Sequence, residues 1–326
     1  TGSLSCMCPS GFSKRPSNIK IKAPRNLGAV FLCVENSCFL WQNVFMAIKN
    51  KKVVVIGGGT GVFTVLSGLK RYPLDLAAIV SMADDGGSTG KLREEFGILP
   101  PGDVRRALVA LSNTDKHLAD LFNFRFDEGV LKGHNFGNLF ITALERMEGD
   151  FQKAVNLAGK LLGVEGKIVP VTLDNVKLVA RMENGEMVYG ETNIDVPKHN
   201  GLLQIKEIFL KPSAKINPYA IGVLKSADVI IIGPGDLFTS IIPNLLVKGV
   251  KEAISSSKSK KIYIVNLMTK FGETNKFKAS DFLGVIEKYL GKNVIDDVIM
   301  NIEKPSPSRL KKYAQEYAEL VKPDIK

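Results

Sequence analysis

The sequence predicts an α/β protein, a mostly parallel, doubly wound sheet with a small antiparallel insertion. Three observations lead there. Short apolar runs that read as buried strands recur along the chain. Stretches with helical spacing follow several of them, and alternating strand and helix signals indicate parallel strands joined by crossover helices. Between residues 166 and 210 the texture changes to alternating strand character around Asn184-Gly185, a two-residue hairpin signal. The 326 residues fit two average domains or one large one, and this pattern supports one domain with an insertion. With 45% hydrophobic and 24% charged residues, the chain is not a wholly disordered segment, a fibre or a small disulfide scaffold.

Residues 1–45 stand apart. They hold all four cysteines (Cys6, Cys8, Cys33, Cys38) and the single tryptophan, Trp41. Their spacing fits no zinc site. The chain starts at Thr1, and Met46 opens MAIKNKKVVVIGGG, a basic lead-in to a strand. The expectation is a folded domain over 46–326, with 1–45 a poorly ordered extension or translated sequence upstream of the true start. Leu27–Phe45 is fairly apolar, but Glu35, Asn36 and Asn43 interrupt it, and no small-residue cleavage pattern follows. It therefore reads as neither a signal peptide nor a membrane span. Five basic residues and one acid give this segment +4 of the net +11, leaving +7 for the rest. The absence of cysteine after Met46 suits a reducing cytoplasm.

From Met46 on, VVVI (53–56), LAAIV (76–80), DVIII (228–232) and IYIVNL (262–267) read as strands. Helical spacing covers 62–71, 103–113, 137–147, 150–162, 238–248 and 279–290, with a last helix near 307–320. In such sheets ligands bind beyond the carboxyl ends of the strands, so the loops there carry the functional reading. The first is Gly57-Gly58-Gly59-Thr60-Gly61, between a strand and a helix. Glycines allow close approach to an anion, and a helix start offers free N–H groups. No Gly-Lys-Ser/Thr follows, so it is not a P-loop, and the glycine spacing does not complete a dinucleotide fingerprint. A turn needed only for strand–helix packing is the alternative.

The second loop, Ala83-Asp84-Asp85-Gly86-Gly87-Ser88-Thr89-Gly90, places two carboxylates beside a glycine run. That suits a Mg²⁺ ion shared with phosphate, or caps on the next helix. Its G-x-S-x-G pattern lacks the strand that a hydrolase elbow runs directly into the serine. In the third, Pro100-Pro101-Gly102-Asp103-Val104-Arg105-Arg106, Asp103 can cap a helix. Arg105 and Arg106 oppose the helix dipole there, which makes sense if they bind an anion; a solvated basic turn is the alternative. Gly133-His134-Asn135-Phe136-Gly137-Asn138 follows, with His134 either an acid/base group or a histidine satisfied at the core edge. Gly233-Pro234-Gly235-Asp236-Leu237-Phe238-Thr239-Ser240 repeats the logic of the first loop. Asn266, Thr269 and Glu273-Thr274 could complete the rim.

Taken in order, VVVIGGGTG, VSMADDGGSTGKLR, LPPGDVRRALVALS, GHNFGNLF, IIGPGDLFTSIIPNLL and VNLMTKFGET closely resemble the gluconeogenesis factor (YvcK-like) family, relatives of 2-phospho-L-lactate transferase, CofD. The resemblance runs from about Met46 to the end. It implies a Rossmann-like core in a cytoplasmic protein that binds a nucleotide sugar, UDP-N-acetylglucosamine in the best-known branch. That branch is a regulator of cell shape and wall synthesis during growth on gluconeogenic carbon. The transferase branch instead joins a phospholactyl group, carried on guanosine diphosphate, to a deazaflavin with Mg²⁺.

By position the resemblance implies that Gly58, Gly59, Thr60 and Gly61, with Gly233, Gly235, Asp236 and Thr239, cradle the diphosphate. Asp103, Arg105, Arg106, His134, Asn138, Asn266 and Tyr313 would join the ligand site. Asp84 and Asp85 would hold metal, and would be catalytic only in a transferase. A protein partner in cell-envelope regulation and a homodimer are compatible with the resemblance, whereas nucleic acid and membrane are not expected. Two positions depart from the family pattern: Asn135-Phe136 replaces Ser-Leu, and Asp236 stands where serine is usual. A carboxylate in a phosphate loop opposes an anion unless a cation neutralises it.

Overall fold

The computed structural model describes residues 50–113 and 115–325, so the leader, its cysteines and Trp41 lie outside the described residues. The chain opens on β1 (Lys51–Gly57), whose Val53–Ile56 run is buried throughout, as a strand covered on both faces requires. α1 (Gly59–Leu69) leads to β2 (Leu74–Val80). Five helices follow: α2 (Gly87–Phe96), α3 (Gly102–Leu111), α4 (Lys116–Asn123), α5 (Phe136–Glu148) and α6 (Phe151–Leu161). Asp115, Asn135 and Asp150 cap the last three by accepting N–H groups of Leu118, Asn138 and Lys153. β3 (Lys167–Pro170) then joins the sheet.

The insertion comprises β4 (Lys177–Met182), β5 (Met187–Tyr189), α7 (Glu191–Asp195) and β6 (Ile205–Lys211). The chain returns through α8 (Pro218–Ser226) to β7 (Val229–Ile232). A π-helical turn, Leu237–Ile241, runs into α9 (Ile242–Leu245), followed by α10 (Val250–Ser256) and β8 (Lys260–Ile264). α11 (Ala279–Leu290), β9 (Asp297–Ile299) and α12 (Pro307–Ala314) complete the order.

Six strands pair in the order β3-β2-β1-β7-β8-β9, and every neighbouring pair is parallel. From β1 the chain winds to one edge and then restarts beside β1 with β7. The order therefore reverses between β1 and β7, and a crevice opens beyond their carboxyl ends. The second sheet, β5-β4-β6, is antiparallel. The α/β class and the antiparallel insertion match the expectation.

Four details differ. Residues 167–170 are not in the insertion, because they pair in parallel with Ala77–Val80; the antiparallel strands occupy 177–211. The hairpin turns on three residues, Glu183–Gly185: the Gly185 N–H bonds Met182 O, the Met182 N–H bonds Glu186 O, and Gly185 takes φ +89°. β8 stops at Ile264, and Asn266 turns its side chain to the Gly235 N–H. The helix expected over 238–248 is a π turn plus one α turn, while α11 spans 279–290 as the spacing predicts.

Candidate functional site

The loops after β1 and β7 meet at the crevice. A Cβ added to Gly61 would lie 2.1 Å from the Pro234 carbonyl oxygen, so only glycine lets the start of α1 touch the loop after β7. Between them lies a cavity of about 460 Å³, within the ordinary range for small-ligand sites. Gly58–Gly61, Ser81, Asp84, Gly86, Asp103, Arg106, Gly235, Asp236, Thr239 and Ser240 line it from the sheet side, and Glu191, Thr192 and Asp195 of α7 line it from the insertion. A second compartment of about 520 Å³ shares Gly61, Asp195, Gly235 and Asp236 with the first. It extends over Asn266–Phe271 to Tyr313 and Glu316 and has more apolar walls, among them Val196, Leu267 and Phe271.

Several N–H groups in these turns already serve the chain's own side chains. Asp103 Oδ1 accepts the Gly59 N–H at 2.9 Å, and Asp84 Oδ1 accepts the Gly86 N–H at 2.9 Å. Glu273 accepts the Phe238 N–H and the Thr239 hydroxyl, each at 2.9 Å. The Gly235 N–H donates to Asn266 Oδ1 at 3.2 Å. Internal carboxylates thus occupy positions that a bare glycine loop would offer to an anion.

The charge balance follows from this arrangement. Asp84, Asp103, Glu191, Asp195 and Asp236 face the first compartment, against Arg106 alone among its lining cations. Burial, then the Asp103 charge, raises the Asp84 carboxyl above its usual range. Burial pushes Glu191 up to about 9, reinforced by the charges of Asp84, Asp195, Asp103 and Asp85. Glu273 rises to about 8, by burial and then by Asp236. Asp236 is itself raised by burial, while Lys270 pulls it down. The Lys270 ammonium lies 3.0 Å from Asp195 and 3.8 Å from Asp236. Burial disfavours that charge, but the neighbouring carboxylates outweigh it and hold Lys270 above its ordinary value. Lys270 therefore supplies a cation beside both Asp195 and Asp236.

The sequence-selected residues divide. Gly58, Gly59, Thr60, Gly61, Asp84, Asp103, Arg106, Gly235, Asp236 and Thr239 share the first compartment, and Asn266 and Tyr313 line the second. Gly233 lines neither; it sits at φ +77° immediately before Pro234. Asp103 is not the N-cap of α3, a place taken by Pro101; its carboxylate reaches across to Gly59 and to Arg106 Nη1 at 3.1 Å.

Arg105 and Arg106 are successive on a helix and so point to different faces. Arg105 turns inward, bonding Asn138 Oδ1 at 3.1 Å and Asn123 Oδ1 at 2.5 Å, and burial lowers it to about 10. Asn138 is buried as its partner. His134 is also buried, with Nδ1 3.5 Å from the Ser88 hydroxyl, and lines neither compartment. The adjacent acids separate as well: Asp84 lines the cavity, whereas Asp85 Oδ1 accepts the Thr192 N–H at 2.9 Å.

The donor set facing the first compartment fits Mg²⁺, a hard cation that takes a few carboxylate oxygens together with ligand phosphate. Asp84 and Asp103 would hold it from the sheet side, with Glu191 facing them from the insertion. Asp195, Asp236 and Glu273 also bring oxygens within 4.8 Å of one another. Lys270 and the Phe238 and Thr239 donors already serve that second group.

Sequence reading missed Glu191, Thr192, Asp195 and Lys270, whereas Ser240 closes the glycine loop it had singled out. The only local signal was an acidic segment directly after a strand, at Glu191–Asp195. Arg93 was also missed. It bonds the Asp84 carbonyl at 2.7 Å, Asn175 Oδ1 at 2.6 Å and the Val176 carbonyl at 2.7 Å, fastening the second loop to the root of the insertion.

Residues 53–326 match the family described as 2-phospho-L-lactate transferase CofD. A Listeria innocua protein named gluconeogenesis factor is 46% identical over 253 residues, covering 77% of each chain. A Clostridium acetobutylicum relative is 45% identical over 282 residues, 86% of this chain but 62% of that protein, so the chain spans less than two thirds of it. A crystal structure of a UPF0052 family protein from Bacillus halodurans superposes with a TM-score of 0.81 at 44% identity, covering 85% of this chain and 88% of that one. Among the described residues no helix is long and apolar enough to cross a membrane.

Proposed function

The chain belongs to the 2-phospho-L-lactate transferase CofD family, and on that footing we propose that it is a cytoplasmic regulator that binds a nucleotide sugar, UDP-N-acetylglucosamine, through a Mg²⁺-bridged diphosphate. The observation that carries this reading is the cavity at the β1/β7 reversal, where two glycine loops meet and carboxylates outnumber cations. Bare phosphate and these carboxylates repel; a shared cation converts the same side chains into ligands. Arg106, more exposed than Arg105, is the guanidinium available to a phosphate oxygen. The second compartment, with Asn266 and Tyr313, suits the nucleoside or sugar end. The output implied by the resemblance is control of cell shape and wall synthesis during gluconeogenic growth, exerted through a protein partner.

A transferase is the second reading. Asp84 and Glu191 face one cavity, a pair that could bind metal and move a proton. Mg²⁺ would there neutralise charge on the nucleoside monophosphate that departs as the phospholactyl group moves to the acceptor. Phosphorus NMR separates the two. Incubated with Mg²⁺ and either UDP-N-acetylglucosamine or a guanosine-diphosphate-linked phospholactyl donor plus deazaflavin acceptor, a regulator leaves both donors intact over hours. Release of nucleotide monophosphate or diphosphate at a rate proportional to protein concentration would make it a transferase.

A further inference from the structure

We infer that Asp85 is a positioning residue that clamps α7 over the cavity, so that the insertion completes the ligand site. The inference deepens the nucleotide-sugar reading and rests on it only for its binding arm. Asp85 and Asp84 are neighbours in sequence but do different work. Asp84 faces the cavity, while Asp85 Oδ1 accepts the Thr192 N–H at 2.9 Å. The approach is close: a Cβ on Gly190 would fall 2.6 Å from Asp85 Oδ2, and Gly190 holds φ +92°, a conformation glycine alone adopts freely.

What the clamp holds in place is functional surface. α7 contributes Glu191, Thr192 and Asp195 to the wall opposite the glycine loops. The Thr192 hydroxyl is buried and has no hydrogen-bond partner among the described residues. The far end of α7 is tied down separately, by the Lys270–Asp195 ion pair at 3.0 Å. Since α7 is only five residues long, its own hydrogen bonds cannot hold it. The loop after β2 therefore grips the insertion at two points, the β4 root through Arg93 and α7 through Asp85.

The test is hydrogen–deuterium exchange on the full chain without ligand, followed by UDP-N-acetylglucosamine titration with Mg²⁺. Asp85→Ala is expected to speed amide exchange at residues 190–196 by about tenfold or more and to leave β1 and β7 unchanged. Asp85→Asn keeps a carbonyl oxygen for the Thr192 N–H and is expected to retain most of the protection. In the titration Asp85→Ala weakens binding and Asp85→Asn restores most of it, which a metal ligand would not do. Should Asp85→Ala fail to fold, Gly190→Ala displaces the carboxylate with Asp85 still present and is expected to open the same amides. Exchange at 190–196 unchanged in both Asp85→Ala and Gly190→Ala overturns the clamp and leaves the ligand reading standing. So does Asp85→Asn behaving like Asp85→Ala in both measurements. A chain that shows the exchange pattern but binds no UDP-N-acetylglucosamine keeps the clamp and loses that ligand.

Discussion

Gly61→Ala is expected to lower the unfolding free energy by about 1–3 kcal/mol and to abolish nucleotide-sugar binding. The new methyl would meet Pro234 O at 2.1 Å and Pro234 C at 2.6 Å, both backbone atoms with no rotamer to yield. Helix propensity acts in the opposite direction, since alanine is favoured over glycine within a helix by about 1 kcal/mol. Gly68, in the same helix, isolates that term, because a Cβ there meets nothing within 4 Å. Gly68→Ala should therefore raise stability by a few tenths to about 1 kcal/mol and leave binding untouched. Urea denaturation of the pair checks the claim. Equal stabilities would mean that the two loops do not depend on this contact.

The second large effect lies in pH. Folded, Glu191 holds its proton up to about pH 9; unfolded, it releases it near the ordinary value of 4.5. Between those values unfolding releases a proton, so stability falls as pH rises. The contribution is complete below about pH 4.5 and is lost through pH 9. One such proton gives a slope of up to about 1.4 kcal/mol per pH unit. Glu273, raised to about 8, and Asp84, also raised, tilt the profile the same way. Without ligand or Mg²⁺, the melting temperature is expected to drop steadily from pH 5 to about pH 9. Glu191→Gln keeps the shape without the charge, so it should match the parent at pH 5, exceed it at pH 8 and flatten the profile. A parent profile level over this range, or Glu191→Gln melting below the parent at pH 8, would show that Glu191 is not held neutral.

Much of the fold was legible because its signals are local. The Val53–Ile56 run needs no partner to announce a buried central strand, and Gly57–Gly61 announces the turn after it. The shared place of the Gly58 and Gly235 loops followed from a rule about strand ends. What stayed hidden is tertiary. Asp103 looks like a cap for its own helix until α3 is packed beside α1, where the Gly59 N–H becomes its partner. Arg105 and Arg106 read alike in sequence; packing against Asn138 and Asn123 buries one and leaves the other beside Asp103. Asp84-Asp85 reads as a metal pair until the insertion folds back and takes Asp85. No periodicity marks α7, whose five residues carry two of the cavity's five acids, because its position depends on two distant contacts.

These placements converge on one claim, that the carboxylate-rich cavity takes its anionic ligand through a divalent cation. Calorimetric titration with UDP-N-acetylglucosamine, in millimolar Mg²⁺ and again in EDTA, tests it most directly. The predicted result is saturable binding with Mg²⁺ that weakens by about tenfold or more once the cation is removed. Equal affinity in EDTA, or no binding at millimolar ligand with Mg²⁺ present, would contradict it.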